Sequence, residues 1–382
     1  MSEPLSAGSA PAARPPADGL LAIPRSIWAL GLVSMLMDIS SEMIHGLLPV
    51  FLVSVLGART VTVGLIEGIA EATASITKIF SGTLSDYLGK RKFLAALGYG
   101  LAAVTKPLFP LAPSVGWVMT ARFVDRIGKG IRGAPRDALV GDLAPPHLRG
   151  ASYGLRQSLD TVGAFAGPLL AVLLMALTLN DFRLVFWIAV IPAFLSLAVM
   201  IFGVTEPETR RELGALQSPI RAADFRRLGA PYWWLVLIAA VLTLARFSEA
   251  FLVLRAQNLG LPVALAPMVL VVMNVVYAAS AYPAGRLSDR MDRRLVLMAG
   301  CMALIGADVL LALTGGVWLA VAGVALWGLH MGLTQGLFAA LVADTTPSRL
   351  RGTAFGVFNL VSGGAMLVAS VLAGWLWDQY GA

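Results

Sequence analysis

Charge is what this sequence has least of for its length. Only 13% of its 382 residues are Asp, Glu, Lys or Arg, while 58% are hydrophobic. A soluble domain carries about 25% charged residues. A soluble fold of this size could not solvate its surface with half that density, so lipid must replace water over much of it. Cysteine is almost missing: Cys301 stands alone, which excludes an internal disulfide framework, and in an apolar run it reads as a small packing residue. With three histidines, of which His147 falls in a loop, a multi-histidine metal site is not expected. No Gly-x-x-x-x-Gly-Lys-Ser/Thr loop occurs, so no ATP motor is expected within the chain. Neither a His-Glu-x-x-His metalloprotease motif nor a soluble catalytic domain supports an enzyme. The formal charge of +7 would suggest nucleic acid if the basic residues formed one patch. They fall instead in short clusters between apolar runs, so no nucleic-acid partner is expected and the lipid bilayer is.

Residues 1–26 read as a disordered tail, rich in Ala, Pro, Ser and Gly up to residue 19. The first apolar run starts near Ile27 and is too long for a signal-peptide core. A membrane helix needs roughly 20 mostly apolar residues, and eleven such runs are expected, near 27–56, 61–87, 93–112, 115–142, 150–179, 182–204, 231–258, 263–288, 294–314, 317–343 and 349–378. The polar stretch 205–230 divides them into a bundle of six spans (27–204) and a bundle of five (231–382). Arg59, Lys106, Arg183 and Arg255 are expected on one side. Lys78, Arg122, Arg126, Arg156 and Arg246 lie within spans. The remaining twenty of 29 basic residues lie on the side holding the N-terminus and the linker. Basic residues mark the cytoplasmic side, so the N-terminus is expected in the cytoplasm and, after eleven spans, the C-terminus outside.

The two parts repeat each other. Gly82-Thr-Leu-Ser-Asp86 returns as Gly285-Arg-Leu-Ser-Asp289, Leu148-Arg-Gly150 as Leu350-Arg-Gly352, and Ser41-Glu42 as Ser248-Glu249. Matches in order at nearly constant offset indicate duplication, and parallel halves around a midplane site are a transporter architecture.

Charges within lipid-spanning segments are costly and point to function. At roughly 100° per residue, Asp38, Glu42 and His45 share one face of span 1, and Glu67, Glu71 and Lys78 share a face of span 2. Arg246 and Glu249 occupy span 7. For the span 1 cluster three readings stand: a proton-coupling or cation-binding site, since a carboxylate in a partly dry cavity can exchange a proton near neutral pH; an ion pair with Lys78, Arg122 or Arg246 that holds helices together; or ligation of a divalent metal by two carboxylates and an imidazole. Glycines four apart at Gly163 and Gly167, followed by Pro168, predict close helix approach and a bend in span 5. Asp160, one turn earlier, is a further buried charge with Arg156 within pairing distance.

Over spans 1–11 the chain resembles a transporter of the major facilitator superfamily. Gly82-Thr-Leu-Ser-Asp-Tyr-Leu-Gly-Lys-Arg-Lys92 is similar to that family's signature between helices 2 and 3, with a weaker copy at Gly285-Arg-Leu-Ser-Asp-Arg-Met-Asp-Arg-Arg294, where Asp292 replaces the glycine matching Gly89. The resemblance implies an all-α fold of two helical bundles around a central cavity, with a cytoplasmic latch built from Gly82, Asp86, Gly89, Arg91, Gly285, Asp289 and Arg293; the alternative is that these charges mark only the membrane edge. It implies that helices 1, 4, 7 and 10 line the cavity, bringing Asp38, Glu42, Arg122, Arg126, Arg246, Glu249, His330 and Gln335 to it. Arg122, Gly128 and Gly130 match the family's helix 4 motif, whereas Asp125 and Arg126 depart from its Gln-Gly; Lys129, Arg132 and Arg136 read as a basic cytoplasmic edge. Gly163, Gly167 and Pro168 resemble the helix 5 motif of exporters, although Leu169, Leu170 and Ala171 replace its later glycines. The family usually has twelve helices, and eleven are expected here. The expectation is therefore a monomeric secondary transporter of a small solute in a bacterial-type inner membrane. Protons are the expected coupling ion, export is favoured over uptake, and neither cofactor nor metal is expected.

Overall fold

The computed structural model describes residues 23–88, 90–145, 149–205, 228–313, 315–346 and 351–382. Among them the secondary structure is helical throughout. In the first half α1 (Arg25–His45), α2 (Thr60–Leu88), α3 (Arg91–Thr105), α4 (Val115–Leu143), α5 (Arg149–Leu177) and α6 (Phe182–Gly203) follow one another; in the second come α7 (Ala230–Ala245), α8 (Ala250–Asn258), α9 (Met268–Arg290), α10 (Arg293–Leu313), α11 (Val317–Thr345) and α12 (Arg351–Tyr380). The duplication is visible in the backbone. Helices open at Arg91, Val115 and Arg149, and again at Arg293, Val317 and Arg351, each 202 residues further on.

Eight of the expected spans are long and apolar enough to cross a membrane by length and composition. The other three are α2, α3 and α4. Of these, α3 is short at 15 residues, and α2 and α4 carry the charges described below. Tail residues 1–22 and linker residues 206–227 lie outside the described residues, and α1 already begins at Arg25, inside the segment expected to be tail.

Two spans are less regular than their sequence suggests. After His45 the chain turns at Gly46-Leu47, resumes as a short helix at Leu48–Val50 and finishes as a π-helix at Phe51–Val55. A proline at position 49 removes a donor and loosens the ladder there. Span 7 breaks between α7 and α8. Residues 246–248 are non-helical, and the Ser248 hydroxyl accepts from the Ala250 amide (3.3 Å) as α8 starts. Unwound backbone at membrane depth is tolerated only where it is buried in protein or lines a polar cavity.

The halves are joined unequally at their two ends. At the end opposite the N-terminus one apolar core runs through both, combining Met43, Leu47, Phe51 and Val63 with Phe251, Val253, Leu270 and Trp327. At the N-terminal end each half keeps its own core: Leu30, Val33, Tyr99 and Val140 in the first, Tyr232, Leu235, Val342 and Ala354 in the second. The most extensive helix pairing in the molecule, α2 on α12, makes the seam. Gly64 permits it: a Cβ there would lie 2.1 Å from the Ser370 carbonyl oxygen.

The seam is tied at its distal end by charge. Asp378 of α12 accepts from the backbone amides of Thr60 (3.0 Å) and Val61 (3.2 Å) and from the Thr60 hydroxyl, and it pairs with Arg59 (3.3 Å). A residue of the second half thus caps the N-terminus of a helix in the first, meeting both its free N–H groups and its dipole. We predict that Asp378→Ala weakens closure of this end by about 1–2 kcal/mol, the worth of a helix cap. In a Cys301→Ser background, Ser370→Cys should then react with a membrane-impermeant thiol reagent roughly five to thirty times faster; an unchanged labelling rate would show that the cap does not hold the seam.

Candidate functional site

The charges of the first half converge on α4. Arg122, one helical turn before Arg126, points at α2 and meets the Glu67 carboxylate at 2.9 Å; both side chains are 2% exposed. His45, at the end of α1, lies 3.4 Å from that same Glu67 oxygen and 3.5 Å from Glu42. One carboxylate of α2 is therefore shared by an arginine of α4 and an imidazole of α1, and the acidic face of α1 joins through His45. One turn further along each helix, Arg126 approaches Glu71 (3.8 Å) and Asp125 (3.9 Å). Next to Arg126 on α4, Asp125 accepts from Lys106 (2.9 Å), which also donates to Ser41 of α1 (3.0 Å).

Several expectations need correction. Lys106 is fully buried within the first bundle, so it is not one of the outward-side cations: Asp125 and Ser41 compensate its charge and hold it inside. Lys129, Arg132 and Arg136 are not a cytoplasmic edge. Arg132 is buried with its guanidinium 4.8 Å above the Tyr99 ring. Arg136 donates to Ser34 (3.0 Å) and lies 3.7 Å from Asp160. Lys129 is exposed yet stands within electrostatic reach of Asp38, Glu42 and Glu71, so it faces the space between the halves. His330 does not line that space: it is buried, with Nδ1 2.8 Å from the Gly300 carbonyl of α10, and serves helix packing. Lys78 runs along α4 at Gly133 instead of joining Glu67 and Glu71.

The glycines of α5 explain how the acidic face of α1 is held. A Cβ on Gly163 would come within 2.5 Å of the Met35 carbonyl oxygen and 3.0 Å of the Asp38 Cβ, and one on Gly167 within 2.8 Å of the Glu42 Cβ. Helix α5 therefore lies with its backbone against Asp38 and Glu42, with Pro168 directly after. Asp160 pairs with Arg156 of its own helix at 3.6 Å, as their spacing suggests. The run Gly150-Ala-Ser-Tyr-Gly154 has the letters of a nucleophile elbow but lies inside α5 rather than on a strand-to-helix turn, so it is not one.

The second half contributes fewer groups. Arg246 and Glu249 flank the break between α7 and α8. Glu249 is within electrostatic reach of His45, Glu42 and Glu71 across the interface. Tyr277 of α9 bonds to Gln335 of α11 (3.1 Å), beside Arg246 and Glu249. The sequence does not mark Tyr277 out, because Asn274, Ser280 and Tyr282 are further polar positions on the same helix. Among the described residues no group of three His, Cys, Asp or Glu is disposed to hold a metal ion. Of the latch residues, Gly82, Asp86, Gly285 and Asp289 lie on α2 and α9, but their side chains, and Gly89 altogether, fall outside the described residues. Arg91 is tied to the Asp142 carboxylate and the Ala138 carbonyl of α4 (3.2 Å for the latter), and Arg293 opens α10.

The chain, two related helical halves of six spans and five, is matched by the family model described as Major Facilitator Superfamily over residues 30–370. The chain belongs to that superfamily. It is 32% identical over 365 residues to an uncharacterized MFS-type transporter of Methanocaldococcus jannaschii, an alignment covering 92% of this chain and 88% of that one. It is 25% identical over 360 residues to the multidrug resistance protein MdtH of Salmonella arizonae, covering 91% and 84%. The crystal structure of the nucleoside transporter NupG superposes with a TM-score of 0.76 at 13% identity, covering 94% of this chain and 92% of that one. The protein is therefore a multi-pass membrane transporter of small molecules and not an enzyme.

Within this superfamily fold the buried cluster and the cleft-facing charges should behave differently. Glu67→Gln leaves Arg122 buried without a counter-charge and is expected to cost roughly 3–5 kcal/mol. Glu71, whose side chain is 46% exposed, should cost less than about 1 kcal/mol as Glu71→Gln. Apparent melting temperatures of the two purified variants in detergent test this; equal shifts would contradict it.

Proposed function

We propose that the protein is a proton-coupled secondary transporter that exports a small solute by alternating access, lying in an inner membrane with its N-terminus in the cytoplasm. The observation that carries this reading is the unequal joining of the halves. A shared apolar core and the Asp378 cap close the distal end, while Glu71, Lys129, Arg246 and Glu249 remain between two separately packed bundles toward the N-terminal end. Such an arrangement offers a binding site to one side of the membrane at a time, provided the seam can open. With Lys106 withdrawn into the bundle, Arg59, Arg183 and Arg255 are the basic residues left at the distal end. That strengthens the assignment of the N-terminal end as cytoplasmic and makes the closed end the outer one.

Protons are favoured as the coupling ion because the cleft presents carboxylates at membrane depth, where a small change in surroundings moves a proton on or off. Export is favoured by the α5 glycines and Pro168, and by the similarity to a multidrug resistance protein. The cleft charges are mixed in sign, which fits an amphipathic solute with a charged group. In proteoliposomes carrying an imposed pH gradient, the protein should accumulate one or more members of a panel of fluorescent organic cations and weak acids. Asp38→Asn with Glu42→Gln should abolish accumulation. Uptake into the vesicles that ignores both the gradient and the double substitution would defeat proton coupling.

A further inference from the structure

Asp38 differs from every other acidic residue of the first-half cluster. Glu42 and Glu67 share His45, and Glu67 also holds Arg122. Glu71 has Arg126, and Asp125 has Lys106. Asp38 makes no ion pair among the described residues. Across the α1–α5 contact its neighbour is another carboxylate, Asp160 of α5. The packing imposes this. Helix α5 is pressed onto α1 at Gly163, where a Cβ would sit 3.0 Å from that of Asp38, and Asp160 stands one turn before Gly163 on the same helix. Two ionised carboxylates have acceptors only and repel each other; side by side in a protein interior, they form a stable contact when one of them carries a proton.

The surroundings decide which one. Asp160 faces two cations, Arg136 of α4 at 3.7 Å and Arg156 of its own helix at 3.6 Å, and Asp137 of α4 competes for both. Asp38 faces Lys129 and Arg132 of α4 at longer range, with Glu42 on its own helix. Arg132 is occupied with the Tyr99 ring. Asp160 is thus the better-compensated anion, and Asp38 the better site for the proton.

We propose that Asp38 and Asp160 form a carboxylate dyad that holds one exchangeable proton on Asp38, donated to ionised Asp160, and that this proton is the one exchanged for solute. The inference deepens the proton-coupled reading above and rests on it for the last clause. In the step, the Asp38 O–H bond breaks and the proton leaves to water in the cleft. The new carboxylate then requires a counter-cation. Lys129, exposed in the cleft and without an ion pair among the described residues, is placed to supply one, and so is a cationic group on a solute. Loss of the proton also loses the hydrogen bond between α1 and α5, so the protonation state acts directly on the packing of two helices. The Glu42–His45–Glu67–Arg122 cluster, in which each carboxylate has an imidazole or guanidinium partner, is the framework beside this site.

Infrared difference spectroscopy on the reconstituted full chain tests the dyad without any solute. At neutral pH, wild type minus Asp38→Asn should show one protonated-carboxyl band, and wild type minus Asp160→Asn should show a band of the same intensity, because a single proton is shared. The double variant should lose no more than either single one. A featureless difference for either variant, or twofold loss in the double variant, would overturn the proposal. Asp38→Glu should retain the band, which separates loss of the site from general damage to the fold. Gradient-driven accumulation by the same proteoliposomes then addresses the coupling separately. Bands that behave as expected, with wild-type accumulation indifferent to the gradient, would retain the dyad and overturn its coupling role.

Discussion

Arg122 and Glu67 sit 2.9 Å apart and almost wholly out of solvent, and much of the first half is arranged around that contact. An isolated charge in such a place costs several kcal/mol. The remedy is visible in the neighbours: His45 reaches the same carboxylate, Glu42 reaches His45, and three helices become fixed relative to one another. The price of placing so much charge in α2 and α4 is that neither passes as a membrane span by composition. Both are sheltered by the more apolar helices around them.

The second half solves a different problem. It lacks a comparable network among the described residues and carries its polar groups at a break in span 7, where Arg246 and Glu249 flank unwound backbone. The duplication therefore preserved the scaffold, with helices reopening 202 residues later, while the chemistry diverged. The halves meet at a seam that is apolar and capped at one end and parted toward the other.

Much of this architecture is legible in the sequence because burial in lipid enforces simple patterns. Long apolar runs mark the spans, repeated Gly-x-Leu-Ser-Asp segments mark the duplication, and the spacing of Asp38, Glu42 and His45 puts them on one face. The spacing of Gly163 and Gly167 predicts close packing, and the structure supplies α1 as the partner. Legibility ended where a side chain could choose between environments. Lys106, between an apolar run and Pro107, reads as a boundary residue. Only the position of Asp125 and Ser41 reveals that it is folded inward. His330 reads as a cavity group by its helix, yet its ring turns to the Gly300 carbonyl.

The sequence by itself determined that this chain lives in a membrane, that it consists of two related halves, and which few charged residues lie within the spans, because each follows from residue type and spacing along one chain. Only the tertiary structure decided how those charges are paired. Glu67 found an arginine and an imidazole, Asp125 found Lys106, and Asp38 was left beside Asp160. The reason is that in a low-dielectric interior a charge is governed by its nearest opposite or like neighbour, and those neighbours come from other helices more than a hundred residues away in some cases, as Asp160 is from Asp38.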